Sequence, residues 1–381
     1  MDRIKAVLKK TFLWFLLKQA KISYQRFQEQ RWRFKKFDGK PLTSAMQKEI
    51  QSIMKNSKVL YNLDEKKARK LADDWHGQMQ RPDNIRFIDD AVPVVLSAND
   101  SYAPYVAVML QSLLDVSNPQ RKYHFIIFEN DFSDTTKQYL LNQMHNFSYC
   151  TIDFINTKHA FKKIPVSFHR AHFSNDIFSR FFIPYWLSEY PKVIYCDSDM
   201  LAKADIANLY DFDIQNFCMG ATINQWISTN IKKQNFSSFS NFAAFSILDN
   251  WSSYINSGLL LFNTKVFREK FSYNELFKFA IYYTNRYKNI FPDQDVLSLL
   301  VKDDYFIIPP EWNYCWEKSI KLDANSLQTK ETNHKIIHFT SNIKPWKDIP
   351  EINNHPDAIA YRNYAKEIPL YNLIHNKPKS N

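Results

Sequence analysis

The sequence predicts an α/β fold: a mainly parallel, doubly wound sheet flanked by helices, with a basic helical extension ahead of it. Three observations carry this. From Val92 onward, apolar runs of strand length alternate with helical patterns, the signature of βαβ units. One run, Val193-Ile194-Tyr195-Cys196, stops abruptly at Asp197-Ser198-Asp199. Of a net charge of +11, +9 resides in residues 1–40, where twelve Lys/Arg face only Asp2, Glu29 and Asp38. The remainder is nearly neutral, and a chain of 381 residues that is 45% hydrophobic and 16% aromatic has ample material for a core.

The elements follow in order. Met1–Phe37 contains no Pro or Gly and reads as helix, with Ile4, Val7, Leu8, Phe15 and Ile22 on one face and Lys5, Lys9, Lys10 and Lys21 off it. Its apolar run Phe12–Leu17 is far shorter than the roughly 20 residues that span a bilayer, and no clean cleavage site follows. A basic amphipathic helix lying on an anionic membrane surface fits, which puts the protein on the inner face of the cytoplasmic membrane. The alternative is a helix packed on its own domain or on a second subunit of a homo-oligomer. Trp14, Trp32, Phe34 and Phe37 lie among the basic residues, but no recognition motif accompanies them, so nucleic acid is not an expected partner. Residues 38–90 read as polar and mostly helical, with a boundary at Arg81-Pro82-Asp83-Asn84. Strands are expected at Val92–Ala98, Tyr123–Phe128, Cys150–Ile155 and Val193–Cys196, and helices through Leu114, over Thr135–Met144 and over Asp176–Glu189.

Asp197 and Asp199 are two residues apart, so they project to one side just past the end of their strand. In open α/β sheets ligands bind in the crevice beyond the carboxyl ends of the strands. Two carboxylates aimed there suit a hard divalent cation, which commonly also carries a substrate's phosphates. Only four glycines occur in the chain, which excludes a glycine-rich phosphate loop. The four cysteines form no C-x-x-C pair and read as small core residues of a cytoplasmic, reducing compartment.

Three further blocks stand out: Asn256-Ser257-Gly258 as a turn leading into a buried strand, Pro292-Asp293-Gln294-Asp295 at a helix start, and His338 delivered by the strand Lys335-Ile336-Ile337 and followed by Lys344-Pro345-Trp346. A glycine in so glycine-poor a chain points to close backbone approach at Gly258. Singly, each block has an ordinary structural explanation: a turn, a helix cap, a structural histidine, a solvated lysine.

Together, in this order and after the aspartate pair, they resemble glycosyltransferase family 8, the retaining GT-A enzymes that include bacterial lipopolysaccharide galactosyl- and glucosyltransferases and glycogenin. The resemblance runs from about Val92 to Trp346. It implies a GT-A, Rossmann-like mixed sheet, with residues 1–85 as N-terminal extension, 86–346 as catalytic domain and 347–381 as C-terminal tail. It implies a hexosyltransferase that moves glucose or galactose from a UDP-sugar to a glycan, glycolipid, lipopolysaccharide or glycoprotein acceptor. Asp197, Asp199 and His338 are its implied ligands for Mn²⁺, with Mg²⁺ as the alternative. Ser97, Ala98, Asn99 and Tyr102 match the uridine segment, Asn99 standing where Asp is common. Ser341, in place of a usual Gly, and Lys344 match diphosphate contacts. Arg180 matches the arginine on donor sugar and diphosphate, and Asn256, Ser257, Asp293 and Gln294 match donor-sugar contacts, with Gln294, Asp293 and Arg180 in catalytic positions. Asn224 matches, more weakly, a position near the acceptor. The stretch Trp226–Trp251 has no counterpart in the pattern and reads as a cover over the acceptor side or as a surface loop. A protein of another class, a nucleotide-sugar-binding scaffold without catalysis, is the competing expectation.

Overall fold

The computed structural model describes residues 61–77, 80–162, 164–168, 175–232, 242–248, 251–288, 291–302, 304–316, 333–340, 343–347 and 349–375. The basic helix expected at residues 1–37 and the expected site residue Ser341 lie outside these.

Ten strands occur among the described residues: β1 (Ala91–Ala98), β2 (Lys122–Glu129), β3 (Cys150–Asn156), β4 (Lys192–Cys196), β5 (Met200–Ala202), β6 (Met219–Ile223), β7 (Ile255–Asn263), β8 (Phe306–Ile307), β9 (Tyr314–Cys315) and β10 (Ile336–His338). The main sheet has the order β3-β2-β1-β4-β7-β6-β8. Only β7 runs against its neighbours, so the sheet is mixed but mainly parallel, as expected. Its central strands are buried on both faces, which is why they read as continuous apolar runs. Pro93 is tolerated inside β1 because pairing with β4 begins only at Val94, so no ladder donor is missing there.

Alternate side chains divide the core between the two faces. Val95, Phe128 and Tyr195 pack with Phe182, Trp186 and Phe277, whereas Val94, Leu96 and Ile194 pack with Leu110, Leu201 and Ile337. Helix starts follow from local capping: Ser133 accepts from the Thr136 amide, and Ser272 with Glu275 forms a capping box ahead of Tyr273–Arg286.

Two features position the crevice. The chain passes from β1 to β2 and β3 on one side, then returns with β4 on the other, so the strand order reverses between β1 and β4. Both strands end there, with Leu96 opposite Cys196. A small second sheet, β5-β10-β9, then starts directly after Asp199 and sets His338 opposite Met200 and beside Cys315.

Several expectations need correction. Asn256-Ser257-Gly258 is not a turn: all three residues lie inside β7, where a register shift against Ala221/Thr222 irregularises the ladder. The helix expected over Asp176–Glu189 is a 3₁₀ turn, Asn175–Phe178, followed by a helix over Ser179–Trp186 only. Residues 61–77 and 80–90 hold one helix, Glu65–Asp73, packed against Tyr273–Arg286. Within 347–381, helices Pro356–Lys366 and Pro369–His375 pack on Ala103–Asp115, and Tyr361 meets Phe339 and Trp346.

Candidate active site

Asp197, Asp199 and His338 offer three ligand atoms that lie within 4.8 Å of one another. Each carboxylate is anchored by one oxygen and leaves the other free. Asp197 Oδ1 accepts from Tyr195 OH at 2.8 Å and from Arg180 Nη2 at 3.0 Å. Its Oδ2 faces His338 Nε2 at 3.6 Å. Asp199 Oδ2 is paired with Lys344 Nζ at 2.6 Å, and its Oδ1 lies 3.3 Å from the same imidazole nitrogen. The imidazole is only 4% exposed and forms the floor, while the carboxylates, 26% and 17% exposed, open to the crevice. Two carboxylate oxygens and one imidazole nitrogen, open on one side, fit a divalent cation that keeps positions for substrate.

Gly258 makes this approach sterically feasible. A Cβ there would sit 2.2 Å from His338 Cε1 and 2.8 Å from Asp197 Oδ2, and the Gly258 carbonyl accepts the Asp197 amide at 2.8 Å. The close backbone approach expected from its sequence context is therefore to the histidine and an aspartate.

The electrostatics follow from these partners. Burial raises the Asp197 carboxyl above its usual range, and Asp199 and Asp293 add to this against the pull of Arg180. Burial also disfavours the Asp199 charge, but Lys344 and His338 outweigh it and hold this carboxyl well below the usual range. Burial works against the Arg180 charge too, yet Asp293, Tyr195 and Asp197 hold the guanidinium firmly protonated.

Arg180 ties this cluster to a second one. Its Nη1 pairs with Asp293 Oδ2 at 2.8 Å and donates to the Ser257 carbonyl at 2.7 Å. Ser257 Oγ donates to Asp293 Oδ2 at 2.8 Å, and the Ser257 amide donates to Gln294 Oε1 at 3.2 Å. Gln294 Nε2 donates to Tyr254 OH at 3.0 Å, and Tyr254 OH donates to Asp295. Asp295 also accepts from Tyr283 OH at 3.1 Å and from the Phe291 amide at 3.2 Å. Burial pushes the Asp295 carboxyl up to about 7 against these donors.

On the other side of the switch point, Ser97 and Ala98 end β1, and Asn99 Oδ1 accepts from the Tyr102 amide at 3.1 Å. Tyr102 is 44% exposed and meets Tyr105 edge-on, and Tyr105 stacks on Trp346 with ring centroids 3.9 Å apart. Asn224 Oδ1 accepts from the Ile227 amide and so caps the following helix. In the stretch 226–251, Phe242 stacks on Phe291, and Phe245 is buried against Tyr254.

Residues 93–350 match the family described as Glycosyl transferase family 8. The chain belongs to glycosyltransferase family 8. The General stress protein A of Bacillus subtilis is 22% identical over 291 residues, which cover 73% of this chain and 95% of that protein. The lipopolysaccharide glucosyltransferase WaaO of Escherichia coli is 24% identical over 182 residues, 46% of this chain and 50% of that one. The structure of galactosyltransferase LgtC with donor and acceptor sugar analogues superposes with a TM-score of 0.54 at 18% identity, covering 73% of this chain and 96% of that chain. The expected family, GT-A fold and hexosyltransferase class agree with these findings.

Four site residues of this family 8 enzyme escaped the sequence reading: Tyr195, Tyr254, Asp295 and Asn313. Asp295 closes the Pro292-Asp293-Gln294-Asp295 segment, but a carboxylate one residue past Gln294 has no distinguishing signal of its own. Tyr195 shares a strand face with Asp197, a signal that was available. Nothing local marks Tyr254 or Asn313.

Two predictions follow from this geometry. Gly258→Ala pushes His338 and Asp197 off their positions, so any divalent-cation affinity of the cluster, read by titration with Mn²⁺ as probe, is expected to fall at least about tenfold while the folded circular dichroism spectrum persists; unchanged affinity refutes the steric argument. Asp295 binds its proton at higher pH in the folded than in the unfolded chain, so its stabilising contribution is present at low pH and lost as pH rises through about 7. Relative to wild type, Asp295→Asn gains roughly 3 kcal/mol between pH 5 and pH 8 in urea denaturation. A pH-independent difference contradicts this.

Proposed function

We propose that this family 8 enzyme is a metal-dependent, retaining transferase that moves glucose or galactose from a UDP-sugar to a hydroxyl of a cell-surface glycan, lipopolysaccharide or glycoprotein acceptor. The observation that carries it is the convergence of Asp197, Asp199 and His338 at the β1/β4 switch point, joined through Arg180 to Asp293 and Gln294.

Asp197, Asp199 and His338 would hold Mn²⁺, or Mg²⁺ in its place, and a cation bound there would supply charge neutralisation to the diphosphate leaving group. Lys344 stands beside Asp199 and supplies a further positive charge to the same phosphates. Ser97, Ala98, Asn99 and Tyr102 receive the uridine, with the Asn99 carbonyl committed to its own turn and the Asn99 amide nitrogen left for the base. Asn256, Ser257, Asp293 and Gln294 face the hexose.

Retention by double displacement needs a free carboxylate beneath the anomeric carbon. Asp293 Oδ2 is held by Arg180 and Ser257, and Gln294 is an amide, a poor nucleophile. Front-face displacement fits these residues better. The bond from anomeric carbon to phosphate oxygen breaks, the acceptor oxygen bonds to that carbon from the same side, and the acceptor proton passes to the departing phosphate oxygen. Asp293 and the Gln294 carbonyl stabilise positive charge on the sugar as it develops.

Screening UDP-sugars for UDP release tests this reading. UDP-glucose or UDP-galactose is expected to give turnover that needs Mn²⁺ or Mg²⁺, and Asp199→Ala is expected to lose at least about a hundredfold in rate without unfolding. Binding of UDP without turnover, whatever the acceptor, favours the scaffold alternative.

Among the described residues no helix is long and apolar enough to cross a membrane. The basic residues 1–37 support peripheral attachment to an anionic surface. Full-length protein is therefore expected to float with anionic liposomes and a variant lacking residues 1–37 to remain behind; equal flotation removes the membrane role.

A further inference from the structure

The hydrogen bonds behind His338 determine which of its nitrogens carries the proton. The deduction starts at a group of known polarity, the Gly258 backbone N–H, which donates to Asn256 Oδ1 at 2.9 Å. That contact fixes the Asn256 amide with its oxygen toward Gly258. The same oxygen lies 2.9 Å from one end of the Asn313 amide, and two oxygens at that distance would repel. The Asn313 atom there is consequently Nδ2, which also donates to Thr222 Oγ1 at 2.9 Å. Its other end, Oδ1, then faces His338 Nδ1 at 2.9 Å. An amide oxygen only accepts, so Nδ1 carries the hydrogen. A neutral imidazole has one N–H, so in the neutral ring that metal ligation requires, Nε2 offers the lone pair, facing the free oxygens of Asp197 and Asp199.

We propose that Asn313 is a positioning residue that holds His338 in its Nδ1–H form and thereby presents Nε2 as the third ligand of the metal site. The inference rests on the metal reading given under Proposed function. Asn313 is fully buried, and both its amide hydrogens and its oxygen are committed, so the ring has no second orientation of equal quality. Removing the acceptor frees the ring to rotate or to place its hydrogen on Nε2, where it would donate to an aspartate and block ligation. Asn256 passes the polarity on, so the backbone of β7 dictates the tautomer.

Two readouts test this. Long-range ¹H–¹⁵N correlation spectra of ¹⁵N-histidine-labelled, metal-free wild-type protein, with the His338 signals assigned through His338→Gln, are expected to show a hydrogen on Nδ1, whether or not Nε2 is also protonated. A hydrogen-free Nδ1 overturns the proposal without any variant. Mn²⁺ titration followed by electron paramagnetic resonance then compares wild type, Asn313→Leu and Asn313→Gln. Asn313→Leu is expected to weaken Mn²⁺ about 10–100-fold, and Asn313→Gln, which keeps both the amide acceptor and its donors, to recover part of that affinity. Equal affinity in wild type and Asn313→Leu overturns the positioning role while leaving the metal site standing. No Mn²⁺ binding by the wild type removes the metal reading and the ligand half of the proposal with it.

Discussion

Two carboxylates forced into one partly buried crevice repel each other, and most of this site is arranged around that repulsion. Asp197 and Asp199 survive as neighbours because each has an anchoring cation, Arg180 for one and Lys344 for the other. The anchors take one oxygen each, and the two remaining oxygens turn toward a single imidazole nitrogen. Breaking either buried pair would leave a charge without compensation, a costly state in a protein interior. Asp293 adds a third carboxylate to the two cations, so the fixed charges leave the crevice negative on balance. A diphosphate cannot enter such a crevice favourably alone. A divalent cation would reverse that sign, so on the proposed reading metal and nucleotide binding are one electrostatic problem.

The scarcity of glycine bears on the same point. A phosphate-binding loop would offer backbone N–H groups and needs small residues to bring them close. With four glycines in the whole chain, that solution is closed, and side chains with a cation must do the work. Gly258 is spent where the backbone of β7 meets His338 and Asp197.

Much of this was legible in the sequence because it is local. The apolar run ending in Asp197-Ser198-Asp199 announces strand, edge and crevice within seven residues, and the alternation of strands and helices announces the sheet. What the sequence hid depends on tertiary contact. Asn256-Ser257-Gly258 has the composition of a turn, yet the pairing of Asn256 with Thr222 of β6 and the bond from the Asp197 amide to the Gly258 carbonyl keep it in the strand. Arg180 could be assigned to the donor by resemblance, but its link between Asp197 and Asp293 requires three distant segments to meet. Asn313 has no local signature at all, since its role exists only where β9, β10 and β7 converge. The helices Pro356–Lys366 and Pro369–His375 were missed because their partner surface, Ala103–Asp115, is remote in sequence.

One strand joins the metal side to the sugar side. Along β7, Asn256 sets the polarity that reaches His338, Ser257 binds Arg180, Asp293 and Gln294, and Gly258 lies against His338 and Asp197. Three consecutive residues thus contact Arg180, Asp197, Asp293 and His338. Their backbone is tied at both ends, Asn256 pairing with Thr222 of β6 and the Gly258 carbonyl accepting the Asp197 amide just past β4, which leaves little freedom to shift one residue without the others. A displacement that moved His338 and Asp197 would also move Asp293 and Gln294, so on the proposed reading the geometry of leaving group and sugar is set as a unit. For the proposed front-face reaction this matters, because the departing oxygen and the incoming one occupy the same side of the anomeric carbon, and a small relative slip would separate the proton from the atom that must take it.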